Sequence, residues 1–277
     1  MPFKDPDRRT MAFIGFGEVG ASFSRGLVES GKEVRIKAYS LDYAETAKRC
    51  SEIDSSGSIL EACMTLPETL DDVETVLVAV PGSGDESALA RIAEIIRPGT
   101  SVVDLSTAEP SVKVGNSKKI QERGCVYVDV AIMDTVVKKL HETPMIMSGA
   151  GADGVAAYLE TLGMKVNVIG ERPGTAATVK LCRSIFMKGV AALAIETRKA
   201  ARVFGVGDAV FESIARSFST PDMIGYLERL EQAAKVHRKR QHEEILLALS
   251  MEKSNGLSGD MARAAARVIG FETNGID

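Results

Sequence analysis

One stretch constrains this chain more than any other. Thr10-Met11-Ala12-Phe13-Ile14 is a short apolar run that ends in Gly15-Phe16-Gly17-Glu18-Val19-Gly20, and a helix-like segment from Ala21 to Ser30 follows. Gly-x-Gly-x-x-Gly between a strand and a helix is the turn of a dinucleotide site. Gly15 permits the tight turn, Gly17 lets a pyrophosphate approach the backbone, and Gly20 lets the helix pack close to the strand. The helix start adds N–H groups and a partial positive charge for the phosphates. Residues Gly15, Phe16, Gly17, Glu18, Val19 and Gly20 are therefore the predicted cofactor-binding loop. The same glycines can make a plain turn in another α/β protein; the flanking strand and helix argue against that.

Strand-like and helix-like segments then alternate. Strands are predicted at Thr10–Ile14, Glu33–Tyr39, Thr75–Val80, Ser101–Asp104, Cys125–Ile132, Pro144–Ser148 and Lys165–Ile169. Stretches with helical spacing lie between most of them, such as Ala44–Ile53, Glu86–Ile96, Val112–Glu122 and Val155–Leu162. That alternation predicts an α/β fold, a Rossmann-type doubly wound parallel sheet covered on both faces. Beyond Glu171-Arg172-Pro173-Gly174 no strand signal survives and good helix formers dominate. Ala176 to Phe204 reads as one long helix with Val179, Cys182, Phe186, Val190 and Leu193 on one stripe. Helices are also predicted at Asp208–Ser217, Asp222–Lys235, Arg240–Lys253 and Asp260–Ile269. The expected organisation is a dinucleotide-binding domain over residues 1–171 and a helical substrate and dimerisation domain over residues 172–277.

Bulk properties exclude several classes. A net charge of −4 over 277 residues argues against a general affinity for nucleic acid. Met1 to Arg9 is polar and charged, unlike a signal peptide. No apolar run reaches the roughly 20 residues that span a bilayer, so no membrane partner is expected. Cys50, Cys63, Cys125 and Cys182 form no Cys-x-x-Cys pair and read as mostly buried, reduced thiols of a cytoplasmic protein. His141, His237 and His242 form no metal-ligand motif, so no metal is expected.

Ligands of such sheets bind outside the carboxyl ends of the strands. Tyr39 and Ser40 end the second strand about 20 residues past the glycines, where a NAD site places an acidic residue on the ribose. Ser40 brings no charge to repel a 2′-phosphate, which favours NADP. No arginine fills the adjacent turn and Asp42 lies two residues on, so NAD stays open; Lys48 and Arg49 are either helpers or a solvated helix face. Val80 and Pro81 end the central strand and are expected to line the cofactor. Ser106 and Thr107 end the next and either bind substrate or help cap the following helix. Lys180, early on the long helix, is the candidate for proton transfer, since burial in a crevice lowers an ammonium pKa toward working pH. By chain features alone it reads rather as a surface lysine.

Four motifs together resemble the β-hydroxyacid dehydrogenases, which include the 3-hydroxyisobutyrate, tartronate semialdehyde and 6-phosphogluconate dehydrogenases. They are Gly15–Gly20, Asp104-Leu105-Ser106-Thr107, Val128-Asp129-Val130-Ala131-Ile132-Met133 and Gly174-Thr175-Ala176-Ala177-Thr178-Val179-Lys180. The resemblance spans nearly the whole chain. It implies a Rossmann domain, an interdomain helix and a helical domain that forms the dimer contact, with Lys180 on the family's general acid/base lysine. Two departures bear on substrate. Where the family continues Pro-Val-Ser-Gly-Gly to hold a carboxylate, this chain has Ala131-Ile132-Met133-Asp134-Thr135, and Asp134 repels an anion. Ser184 stands where the family has asparagine. The segment from Lys180 to Gly189 resembles a branch of phosphogluconate-dehydrogenase-like proteins with a distinct C-terminal domain, and His237, Arg240 and Glu244 match there too. Arg240 and His237 then either meet an anionic substrate or sit on a solvated helix with Arg240 paired to Glu244.

These readings converge on an NADP- or NAD-dependent oxidoreductase acting on a small hydroxy acid or related carbonyl compound. Lys180 is the general acid/base, Ser106, Thr107 and Ser184 position the substrate, Met133 and Asp134 shape its pocket, and the protein is a homodimer. An imine reductase on the same scaffold and a non-catalytic nucleotide-binding protein are the alternatives.

Overall fold

Short, almost continuously apolar strands settle the first layer. In the computed structural model, which describes residues 10–32, 34–57 and 59–271, strand β1 (Thr10–Ile14) is buried throughout. Met11 and Phe13 enter one core, Ala12 and Ile14 the other, because successive side chains leave a strand on opposite faces. The polar start at residues 1–9 and Glu33, the expected head of the second strand, lie outside the described residues.

The remaining strands are β2 (Arg35–Tyr39), β3 (Leu60–Ala62), β4 (Thr75–Val78), β5 (Ser101–Asp104), β6 (Val126–Ile132), β7 (Met145–Ser148) and β8 (Val166–Val168). They form one eight-stranded sheet in the order β3-β2-β1-β4-β5-β6-β7-β8. Helices α1 (Glu18–Glu29), α2 (Tyr43–Ile53), α3 (Leu66–Leu70), α4 (Asp85–Ile95), α5 (Pro110–Gln121), α6 (Val136–Lys139) and α7 (Ala152–Thr161) connect them. Phe23 and Leu27 of α1, Cys50 of α2 and Val155 and Leu159 of α7 pack in one core. Leu66 and Leu70 of α3, Leu89 and Ile92 of α4 and Ile120 of α5 pack in the other. The sheet is therefore doubly wound, as expected.

Two features depart from the sequence reading. Strand β3 is only three residues long and carried no run long enough to read. Strand β7 pairs antiparallel to β6, whereas the alternation implied parallel strands throughout. The connection between them holds only the four-residue α6 and a short 3-10 turn. That is too little for the helical crossover that returns a chain to the same end of a sheet.

The chain divides into two compact units, residues 1–183 and 184–277. Helix α8 (Thr175–Val203) begins in the first and continues into the second, with α9 (Gly207–Phe218), α10 (Met223–Val236), α11 (Arg238–Ser254) and α12 (Asp260–Phe271) after it. Gly205, at φ +66°, ends α8. Its N–H reaches the Arg202 carbonyl while Val206 N–H reaches Ala201, the paired bonds of a Schellman close. The apolar stripe expected along α8 is real but open: Val179, Phe186, Val190 and Leu193 are all exposed, as is Cys182, while Cys50, Cys63 and Cys125 are buried. Among the described residues, no helix is long and apolar enough to cross a membrane.

Candidate functional site

The glycine loop has the geometry its spacing required. Gly15 adopts φ +92°, and a Cβ there would lie 2.5 Å from the Ala79 carbonyl oxygen, so only glycine lets β1 turn against the end of β4. A Cβ on Gly20 would lie 2.7 Å from the Gly15 carbonyl oxygen, which fixes how closely α1 packs on the loop. Gly17 caps α1 without any side-chain hydrogen bond, and a Cβ there would meet nothing within 4 Å. The backbone at Gly17 is therefore open to close approach, and the residues present fit a dinucleotide pyrophosphate at the start of α1. The Phe16 side chain is core, edge-on to Phe13 at 6.4 Å between ring centroids, so Phe16 offers the loop only its backbone. Glu18 is exposed and Val19 half-buried.

At the end of β2, Tyr39 accepts from the Gly15 N–H at 2.8 Å, which ties the second strand to the loop. The Ser40 hydroxyl bonds to Thr46 Oγ1 at 2.7 Å. Asp42 is committed to the start of α2, where its carboxylate accepts from the Glu45 N–H at 3.0 Å. Arg49 is more than a solvated helix face: its guanidinium pairs with Glu45 at 2.8 Å and donates to the Phe16 carbonyl at 3.1 Å. A cation thus lies against the glycine loop on the β2 side.

The carboxyl ends of β4, β5 and β6 carry the rest. Val80 is half-buried and Pro81 exposed, and the backbone at Gly82 packs directly on the Thr107 carbonyl, where any side chain would collide. Thr107 is exposed, and its hydroxyl accepts from the Lys180 ammonium at 2.9 Å. Ser106, by contrast, is buried: its hydroxyl donates to Asp104 Oδ1 at 2.5 Å and accepts from Lys113 Nζ at 2.9 Å. Its side chain is turned into the core, away from the surface that Thr107 lines.

Beneath these hydroxyls lies a polar cluster that the sequence reading missed. Asp104, Asp129 and Ser148 are register neighbours across β5, β6 and β7, so their side chains stand in one row. Lys113, fully buried, pairs with Asp104 at 2.8 Å and approaches Asp129 to 3.8 Å. Tyr127 donates to Asp104 Oδ2 at 2.6 Å. Asp85, also buried, accepts from Asn116 at 3.0 Å, and its carboxyl is pushed up to about 6 by burial first and then by the charge on Asp104. Burial likewise raises the Asp129 carboxyl. A usable signal was present: Lys113, Asn116, Ser117 and Ile120 occupy the inward face of α5, three polar residues where an apolar stripe belongs.

The remaining expected residues differ in exposure and in partners. Met133 is half-buried, with its N–H on the Pro144 carbonyl. Asp134 is exposed and pairs with Lys139 at 2.7 Å; that hydrogen bond, with the Thr135 N–H, holds its carboxyl below the usual range. Ser184 follows Lys180 by one turn of α8 but falls in the second unit. His237, between α10 and α11, is exposed. Arg240 is about two-thirds exposed and lies 3.8 Å from Glu244, the internal pair open to a solvated helix. Among the described residues, no group of histidines, cysteines and carboxylates is placed to hold a metal ion.

Comparison with known proteins places this geometry. The human mitochondrial 3-hydroxyisobutyrate dehydrogenase is 24% identical over 181 residues, covering 64% of this chain and 52% of that enzyme, so the match spans about half of its length. A conserved hypothetical protein from Sinorhizobium meliloti 1021 superposes with a TM-score of 0.63 at 28% identity, over 97% of this chain and 91% of that one. An imine reductase of Streptomyces aurantiacus superposes with a TM-score of 0.78 at 16% identity, over 95% and 93% of the two chains, a likeness of fold alone. Residues 10–170 of the 277 match the family described as the NAD binding domain of 6-phosphogluconate dehydrogenase. Its glycine turn, strand order and matched span agree, and the chain belongs to that family of nicotinamide-dinucleotide oxidoreductases.

Proposed function

We propose that the protein moves hydride between a nicotinamide dinucleotide, NADP in preference to NAD, and a small hydroxy acid or related carbonyl compound, with Lys180 as the general acid/base. The observation that carries this is the Lys180 ammonium held on the exposed Thr107 hydroxyl at 2.9 Å. The cofactor supplies the hydride chemistry when bound. The chain supplies the rest. Lys180 gives a proton to a carbonyl oxygen or takes one from a hydroxyl, and Thr107 fixes the amine and offers its own hydroxyl to the substrate oxygen. Met133 and Asp134 shape the substrate side. Because Asp134 is ionised, a substrate carboxylate finds its anchor elsewhere. The NADP preference is supported at the end of β2, where Ser40 carries no charge, Asp42 is spent on a helix cap and Arg49 brings a cation to the loop.

In this reading residues 1–171 hold the cofactor, and residues 172–277 contribute to the substrate pocket and the contact between two copies of the chain. The four free cysteines suit a reducing cytoplasm. Initial rates test the reading. Oxidation of 3-hydroxy acids with NADP is expected to fall about a thousandfold in Lys180→Met, within the usual range for a proton-transfer group. Faster reduction of a cyclic imine than oxidation of any hydroxy acid moves the assignment to the imine reductase alternative. NADPH binding with no turnover of either leaves a nucleotide holder.

A further inference from the structure

The buried cluster and the Lys180 amine are joined in a closed circuit. Lys113 donates to the Ser106 carbonyl at 2.8 Å and to its hydroxyl at 2.9 Å, which fixes the residue immediately before Thr107. Lys113 also faces Asp129, whose other oxygen accepts from the Ala177 N–H at 2.9 Å. Ser148 accepts from the neighbouring Ala176 N–H at 3.0 Å. Asp129 and Ser148 thus cap the first turn of α8, and Lys180 leaves that helix three residues later to close the circuit on Thr107. No other cation of α5 enters this core: Lys118 is exposed, and Lys119 pairs outward with Glu86 at 3.0 Å.

We propose that Lys113 is a positioning residue, which sets the distance between the Lys180 amine and the Thr107 hydroxyl by tying the β5 loop and the start of α8 to one buried ion cluster. The proposal rests on Lys180 being the proton-transfer group. Burying an ammonium among carboxylates adds little net stability, because desolvation offsets the attraction, and an apolar side chain in the same space can serve as well. Its return is geometric. The ammonium sits where two separately encoded segments must be held in register, and a displacement of about an ångström there is enough to cost a large factor in rate.

The test uses the full chain with Lys113→Met, Ser148→Ala and Lys180→Met. Competitive acetylation by trace acetic anhydride across pH, read by mass spectrometry on the Lys180 peptide with exposed Lys48 as reference, reports on the amine without substrate or cofactor. In Lys113→Met the Lys180 labelling midpoint is expected to move by about half a pH unit or more as its surroundings change. Turnover falls about tenfold or more, while NADPH binding, read by nicotinamide fluorescence, stays within about twofold. Ser148→Ala keeps every charge and loses one cap of α8, so it shows the same shift at smaller size and serves if Lys113→Met does not fold. An unmoved Lys180 midpoint in a folded variant that is merely less heat-stable overturns the proposal. Full turnover in Lys180→Met overturns the proton-transfer reading instead and leaves the labelling result to judge the positioning role.

Discussion

The two units of this chain treat charge and apolar surface in opposite ways. The sheet unit buries Lys113, Asp85, Asp104 and Asp129 and covers most of its large apolar side chains in two cores. The helical unit keeps its arginines and lysines at the surface and leaves Ile185, Phe186, Met187, Val190, Leu193 and Ile195 exposed. Glu252 of α11 is buried too, and burial raises its carboxyl, but in the sheet unit neighbouring strands fix the partners of buried charge, as the row Asp104, Asp129, Ser148 does. Helices that meet only along stripes offer no such row. Exposed apolar surface of this extent on an otherwise ordinary globular chain needs a second surface to cover it.

The sharpest way to break this contrast is to charge that surface. If a second copy covers it, the chain sediments as a dimer at micromolar concentration. The double change Ile185→Asp with Phe186→Asp, present in both copies, then removes four buried apolar side chains, about 8 kcal/mol together, and raises the dimer dissociation constant far more than about a thousandfold. The sheet unit is untouched, so NADPH binding persists. A wild-type chain that sediments as a monomer refutes the second-copy reading outright.

Smaller in effect, but aimed at the buried side of the contrast, is Asp85→Asn. The Asp85 carboxyl is raised from 3.8 to about 6 in the folded protein. Below the unfolded value it is protonated in both states and costs nothing. As pH rises through the folded value the native state must release a proton that the unfolded chain released earlier, and stability is lost. The amide removes that loss. Asp85→Asn is therefore expected to gain about 2 kcal/mol at pH 7.5, seen as a few degrees in the melting temperature, and almost nothing at pH 4. Equal effects at both pH values would mean that the ionised carboxylate carries no penalty there.

These residues also mark where the sequence could be read and where it could not. Gly15 and Gly20 were legible because each answers a local demand, a positive φ or a collision with a backbone oxygen, that only glycine meets. The long helix was legible from its run of helix formers, read to Phe204 where it ends at Val203. Asp104 and Asp129 stood in recognisable motifs, yet their pairing with Lys113 depends on strand register, which no local pattern contains. Ser106 read as a ligand-facing hydroxyl because adjacent strand-end residues cannot be told inward from outward before β5 is placed. Arg49 stayed open between a helper and a solvated helix face because its partner, the Phe16 carbonyl, lies 33 positions away in the chain. The direction of β7 was hidden because it depends on what the link after β6 fails to build.

The smallest expected effect concerns Arg240, and it probes whether charges in the helical unit are as idle as their exposure makes them. Arg240 and Glu244 are both about two-thirds exposed and 3.8 Å apart, four residues along α11. A pair of this kind is screened and contributes under about 0.5 kcal/mol. Arg240→Ala should therefore change the melting temperature by a degree or less and leave kcat/KM within about twofold. Suppose instead that Arg240 holds an anionic substrate through two hydrogen bonds. The same change then raises KM about tenfold or more with little effect on melting, because charge-assisted bonds to a bound anion are about 1.5–3 kcal/mol each. Glu244→Gln separates the cases further. It frees a solvated pair at no cost to turnover, but lowers KM if Glu244 competes with substrate for the guanidinium, so the two substitutions move KM in opposite directions only when the helical unit contributes to the pocket.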